Sequence, residues 1–218
     1  MQLPDRSALI DRLEALLDAA GTTRATGPSD RSGIRAPAIF VVQVEGYEGL
    51  AAEAREVLER EVVRRLDRLV RANPWQLTYL VDDASDVLVY EPELNLFSEL
   101  VRYFGTHEDR YLIAHTKSAN VDFLRLLPHR GKTIACFSLS ANTQSTRLEQ
   151  GAGTTDERIA AARKCQAWGL PIRFKFKPII PVRGWRDEAR EMIRAVFDQT
   201  RPDNLSMTVF MWMRFEEM

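Results

Sequence analysis

Short apolar runs alternate along this chain with longer segments whose apolar residues recur every three or four positions. The first pattern is that of buried strands and the second that of one-sided helices. Strands are expected at 38–44, 77–81, 111–116, 133–138, 172–177 and 205–214. Helices are expected at 5–20, 49–72, 93–104, from the cap at Thr154 to the stop at Gly169, and at 187–198, with a short helix carrying Val121, Phe123 and Leu124. In the long helix Leu50, Ala54, Val57, Leu58, Val62, Leu66 and Leu69 are the expected inward stripe, and the dense Glu/Arg face is expected to be solvated ion pairs.

The stretch 135–181 shows the repeating unit most clearly. An apolar strand opens into a loop through Ser138, Ser140 and Asn142. Thr154 stands three residues before Glu157, the spacing of a capping box, and Thr155, Asp156 and Glu157 suit a helix N-terminus. Ile159, Ala162, Cys165 and Trp168 follow at helical spacing, and Gly169 ends the helix. Ile172 to Lys177 then alternates apolar and basic before Pro178. Strands joined through helices of this length form a parallel sheet. A complete eightfold barrel takes about 250 residues, and this chain has 218. A partial, open parallel β/α barrel of about six strands, or a doubly wound sheet, is therefore expected. The organisation expected is an N-terminal helix and mobile linker over 1–37, rich in Gly, Ser, Thr, Pro and Arg, then the barrel domain over 38–218.

Composition narrows the function classes. A net charge of −1 with 45% hydrophobic residues gives no general pull toward nucleic acid or an anionic membrane. No apolar run approaches the roughly 20 residues that span a bilayer, and no signal-peptide core is present. A cytoplasmic protein with no membrane partner is the expectation. Two cysteines, Cys136 and Cys165, make neither a disulfide framework nor a metal quartet and read as small buried hydrophobes. His107, His115 and His129 show no metal-ligand spacing, so no metal site is expected. The cluster MTVFMWM at 207–213 reads as core strand.

In parallel α/β folds ligands sit at the carboxyl ends of the strands. The polar residues expected there are Asp82, Asp83, Ser85 and Asp86, then Lys117 and Ser118, then Ser138, Ser140 and Asn142. Arg173, Lys175 and Lys177 share one face of the next strand, opposite Ile172, Phe174 and Phe176. With the apolar face on the helices, the basic face points into the barrel. Burying unpaired charge costs several kcal/mol, so these three need acids such as Asp82, Asp83 and Asp86, or a bound anion. That these residues are only strand-end caps and internal ion pairs stays open from spacing alone.

Four pieces stand in order: TKSANV at 116–121, SLSAN at 138–142, the block from Thr154 to Gly169, and KPII…GW at 177–185. Together they resemble the spore photoproduct lyase family of radical S-adenosylmethionine (SAM) proteins, over roughly 77–185. The resemblance implies a TIM-barrel-like radical SAM core, SAM as cofactor, and lyase-type radical chemistry. It implies SAM contacts at Ser85, Lys117 and Ser138, with Asp83, Asp86, Asn142, Arg173, Lys175 and Lys177 left as substrate or anion candidates. Asp83 takes the position that is a hydrogen-returning cysteine in lesion-repairing members, a step Asp cannot perform. Lys175 and Lys177 stand where the family pattern has His and Asp.

The family also implies a 4Fe–4S cluster on a C-x3-C-x2-C loop ahead of Ala38. Residues 1–37 hold no cysteine, and such clusters require thiolates. Three readings follow. The chain is a radical SAM barrel whose cluster-bearing part lies in a missing segment or partner chain, acting on a small-molecule or nucleic-acid-derived substrate. Or it is a cluster-less SAM- or anion-binding module or regulatory subunit. Or it is an unrelated α/β enzyme using Lys117, Lys175 and the 82–86 loop on an anionic substrate.

Overall fold

Six strands pair in the order in which they occur in the chain, every pair parallel. The strands are β1 (Ala38–Phe40), β2 (Thr78–Val81), β3 (Tyr111–Thr116), β4 (Thr133–Leu139), β5 (Ile172–Ile179) and β6 (Asn204–Val209). The helices are α1 (Ala52–Ala72), α2 (Leu96–Phe104), α3 (Asn142–Arg147), α4 (Thr155–Ala167) and α5 (Trp185–Gln199), with one turn of 3-10 helix at Asp122–Leu126. This computed structural model describes residues 38–40, 52–81, 86–89, 91, 94–180 and 183–209, and the predicted N-terminal helix and linker lie outside them. A doubly wound sheet reverses its strand order partway. This sheet never does, so it is wound in one direction, as an open barrel is.

Single-direction winding puts the connections on one face. The main core confirms this, joining Tyr79, Val81, Leu112, Ala114, Phe137, Leu139, Ile172, Phe174 and Phe176 of the strands to apolar residues of the helices, among them Leu66, Phe104, Ile159, Cys165 and Val196. Leu80, Ile113, Ile134 and Cys136 form a separate small cluster with Tyr111 on the opposite face, and among the described residues no helix residue joins them. Leu80, Ile113 and Ile134 are neighbours across three strands. The next rung on that face reads His115, Cys136, Arg173 and Asn204. The one after it pairs Ser138 with Lys175 and Lys175 with Ser206. The inner face therefore passes from apolar to polar toward the carboxyl ends of the strands.

Local chemistry accounts for the element ends. The Thr154 hydroxyl accepts from the Glu157 amide, and the Glu157 carboxylate accepts from the Thr154 amide, closing the expected capping box of α4. Gly169 follows the helix at φ +88°, a left-handed conformation that glycine adopts without a Cβ clash. The Glu91 carboxylate, buried, accepts from the Phe97 and Ser98 amides and the Ser98 hydroxyl at the start of α2.

Several boundaries differ from those predicted. Helix α2 begins at Leu96 rather than 93, because Glu91 caps it from outside the periodic stripe. Leu69 is 40% exposed while Val70 is buried, since the stripe that meets the core runs 62, 66, 70 in steps of four. Met207 is 48% exposed, so this end of the 207–213 cluster is not interior. Helix α3, rich in Thr, Ser and Gln, shows no apolar periodicity and was not anticipated. Residues 210–214 of the last predicted strand lie outside the described residues.

Candidate active site at the strand carboxyl ends

Strand β3 ends at Thr116, and the loop beyond β2 is fastened to it there. The Asp86 carboxylate accepts from the Thr116 hydroxyl at 2.9 Å, from the Lys117 amide at 2.7 Å and from the Leu88 amide at 3.2 Å. The Thr116 oxygen in turn accepts from the Ser118 amide at 2.8 Å. Asp86 thus clamps the end of β3.

A second fastening joins the loops after β3 and β4. Lys117 Nζ donates to Glu149 Oε1 at 2.8 Å, Ser140 Oγ donates to the same oxygen at 2.5 Å, and Arg158 donates to Oε2 at 2.7 Å. Arg158 side-chain atoms are wholly buried and those of Glu149 8% exposed. The guanidinium also donates to the Gly153 carbonyl at 2.6 Å and the Ser138 carbonyl at 2.9 Å. The Gly153 amide reaches the Lys117 carbonyl at 3.1 Å, and a Cβ at Gly153 would sit 3.3 Å from the Ala119 nitrogen. Burial would raise the Glu149 carboxyl, but hydrogen bonds from Lys117, Ser140 and Arg158 outweigh it and hold the group below its ordinary range.

Above these clamps lies a cavity of about 550 Å³. It is lined by His115, Lys117 and Ser118 from the β3 end, Ser138 from β4, Lys175 and Lys177 from β5, the glycine-containing turn 150–153, and Asp86. Lys175 Nζ lies 3.3 Å from His115 Nδ1. Ser138 and Lys175 are register partners. The strand alternation thus delivers hydroxyl and ammonium groups side by side, as the pattern of β5 implied.

Of the residues singled out in the sequence, the fold brings Asp86, Lys117, Ser118, Ser138, Lys175 and Lys177 together around one cavity. Arg173 sits one rung deeper on the same face, its Nε buried with no hydrogen-bond partner. Asn142 is exposed at the start of α3, where its carbonyl accepts from Ser145 and Thr146, away from the cavity lining. Ser140 faces Glu149 rather than the cavity. Asp82, Asp83 and Ser85 lie outside the described residues.

His129 and His107 lie outside the cavity lining. The first accepts from the Gly131 amide, the second packs against Tyr103, and burial lowers both. His115 is the exception, and only the cavity reveals it. Glu149 and Arg158 were missed outright. Arg158 did leave a signal, since it shares the stripe of Ala161, Ala162 and Cys165 on α4, where a charge needs a buried partner.

The cysteines do not fit an iron–sulfur cluster. Cys136 and Cys165 belong to the two separate clusters on opposite faces of the sheet. Burial raises both thiols, Cys165 to about 12, whereas a cluster needs thiolates. No group of three or more His, Cys, Asp or Glu residues among the described residues is placed to hold a metal ion.

A parallel sheet wound in chain order, with a cavity at the carboxyl ends of β3 to β5, defines an open β/α-barrel protein. More particularly, the chain belongs to the spore photoproduct lyase family of the radical SAM superfamily, whose model matches residues 60–216. The spore photoproduct lyase of Bacillus subtilis (strain 168) is 27% identical over 133 residues, covering 61% of this chain and 39% of that protein. That of Geobacillus sp. (strain Y412MC61) is 27% identical over 126 residues, covering 58% and 37%. This chain therefore spans about two-fifths of the length of those relatives. Among solved structures, spore photoproduct lyase complexed with dinucleoside spore photoproduct superposes with a TM-score of 0.62 at 22% identity, covering 68% of this chain and 45% of that one. A double mutant with bound AdoMet and dinucleoside spore photoproduct matches equally well. Among the described residues no helix is long and apolar enough to cross a membrane. Family membership leaves the reading of an unrelated α/β enzyme without support.

Proposed function

We propose that this chain is a SAM-binding barrel of the spore photoproduct lyase family, able to take part in radical chemistry only where a cluster-bearing segment is supplied from outside its own cysteines. The observation that carries this reading is the meeting of Lys117 and Ser138 at one cavity, on the strand ends where the family resemblance implies SAM contacts. The solved relative with bound AdoMet supports the ligand class.

Each residue has a distinct part. Lys117 uses one of its three ammonium donors on Glu149, which fixes its direction and leaves the others for the methionyl carboxylate. Glu149 neutralises the buried Arg158, so the triad keeps one net positive charge for that carboxylate. Ser138 offers a hydroxyl to the polar groups of the ligand, and Ser85 is assigned the same part from the family pattern. Asp86 holds the Lys117 backbone in place. Bound beside a reduced 4Fe–4S cluster, SAM supplies hydrogen-abstracting radical chemistry; no step through such a cluster is assigned to this chain, whose thiols do not fit one. Asp83 cannot return a hydrogen atom as the cysteine at that position of the lesion-repairing members does, so lesion repair by that route is not assigned to this chain, and its substrate is a small molecule or a nucleic-acid derivative.

The test is Lys117→Ala, with SAM affinity and thermal unfolding measured on the same preparation. The reading predicts at least a tenfold loss of affinity in a protein that still unfolds cooperatively. Unchanged affinity overturns the assignment.

A further inference from the structure

Several walls of the cavity hang on one side chain that stands behind them. Arg158 lies in the first turn of α4 with no exposed surface, so it touches no ligand in the cavity. Its Nη1 donates to the Ser138 carbonyl at 2.9 Å, its Nε to the Gly153 carbonyl at 2.6 Å and its Nη2 to Glu149 Oε2 at 2.7 Å. Ser138 and Gly153 both line the cavity. The Gly153 amide passes the constraint on to the Lys117 carbonyl at 3.1 Å. Glu149 passes it to the Lys117 ammonium, which it meets at 2.8 Å through its other oxygen. Main chain and side chain of Lys117 are thus each one step removed from Arg158. Core stability alone does not call for a guanidinium here. An apolar side chain would continue the buried stripe of Ala161, Ala162 and Cys165, and replacing buried ion pairs with apolar groups is often neutral or stabilising. What an apolar residue could not do is hold three acceptors at fixed separations.

We propose that Arg158 is a positioning residue that aims Lys117 at the amino-acid carboxylate of SAM, and so makes the site select ligands that carry this group. The proposal rests on the reading of the cavity as a SAM site. Its mechanism is geometric. A guanidinium is planar and its donors leave in fixed directions, whereas a lysine ammonium is a single point on a flexible stem. A lysine at position 158 keeps the charge but loses the fork that joins the two carbonyls to Glu149. Glu149 then turns about its one remaining ion pair, and Lys117, whose side chain is 39% exposed, swings with it. The ammonium no longer waits where the carboxylate arrives. Ser138 is less affected, because its backbone stays in the ladder between β4 and β5. The loss therefore falls on the charged end of the ligand and spares the nucleoside end.

The experiment titrates SAM and 5′-methylthioadenosine into the wild-type chain, Arg158→Lys, Lys117→Ala and the double variant, with thermal unfolding measured on each. Methylthioadenosine shares the nucleoside and the sulfur of SAM but lacks the amino-acid carboxylate and ammonium. Arg158→Lys is expected to weaken SAM about tenfold or more, the worth of a charge-assisted hydrogen bond, and methylthioadenosine by less than about threefold. In the Lys117→Ala background the same Arg158→Lys change is expected to cost SAM less than about threefold, because the contact it positions is already gone. If Arg158→Lys does not unfold cooperatively, Glu149→Gln carries the test. It keeps the shape of the side chain, severs the charge link between Arg158 and Lys117, and is read by the same ratio of the two ligands. Equal losses for both ligands, unchanged SAM affinity, or losses that add in the double variant overturn the positioning role and leave the SAM assignment standing. Absence of SAM binding by the wild type overturns the SAM assignment, and the positioning role with it.

Discussion

Replacing Glu149 with alanine removes the one carboxylate that Arg158 meets among the described residues. The guanidinium stays wholly buried, keeping the Gly153 and Ser138 carbonyls as partners but no counter-charge. Breaking a buried pair from one side costs about 3–5 kcal/mol, and Lys117, more than a third exposed, adds little because water screens it. For a domain of this size that loss lowers the unfolding midpoint by about 6–20 °C. The companion variant Arg158→Met in the Glu149→Ala background removes the stranded charge, so the double variant is expected to recover at least about 1.5 kcal/mol relative to additive losses. The pH dependence has a fixed sign. Glu149 is depressed below its ordinary value of 4.5, so its contribution is complete above that pH and fades as the pH falls through the depressed value. Denaturant unfolding at pH 7 and below 4 measures both. A loss under about 1 kcal/mol at neutral pH, or a gap between wild type and variant that widens on acidification, refutes the description of this triad.

Two further substitutions or modifications probe the packing. At Gly105 an added Cβ would stand 2.1 Å from the Pro128 carbonyl oxygen, while the backbone φ of −60° is ordinary; Gly105→Ala is therefore expected to lose about 1–3 kcal/mol through overpacking alone, and an unchanged unfolding midpoint contradicts this. Burial raises the thiols of Cys136 and Cys165, so both should resist a thiol reagent at neutral pH until denaturant is added. Rapid reaction of either in the folded protein would show that the inner face or the helix layer is more open than described.

The elements that carry their own local chemistry were legible in the sequence. β3 was placed at its observed bounds from an apolar run closed by Thr116, and β4 ran a single residue further than expected. The α4 cap was readable from Thr154 and Glu157 because a capping box is complete within four residues. The strict alternation of β5 set which residues face the helices, and from that the cavity side of Lys175 and Lys177 followed. What escaped was whatever depends on distant partners. Glu149 lies in an irregular stretch and acquires meaning only when Lys117, Ser140 and Arg158 converge on it from separate segments. His115 looked like any strand histidine until the β5 lysines were set beside it. Asn142 moved away because the chain beyond Leu139 turns directly into α3, whose polar composition gives no apolar period to detect.

The most direct test of the account is a calorimetric titration of SAM into anaerobically purified protein, with iron assayed on the same sample. The account predicts saturable binding at one site per chain with no stoichiometric iron, because Lys117 and Ser138 are present at the cavity while cluster thiolates are not among this chain's cysteines. No heat of binding would contradict the SAM assignment, and stoichiometric iron in the isolated chain would contradict the claim that its cysteines cannot hold a cluster.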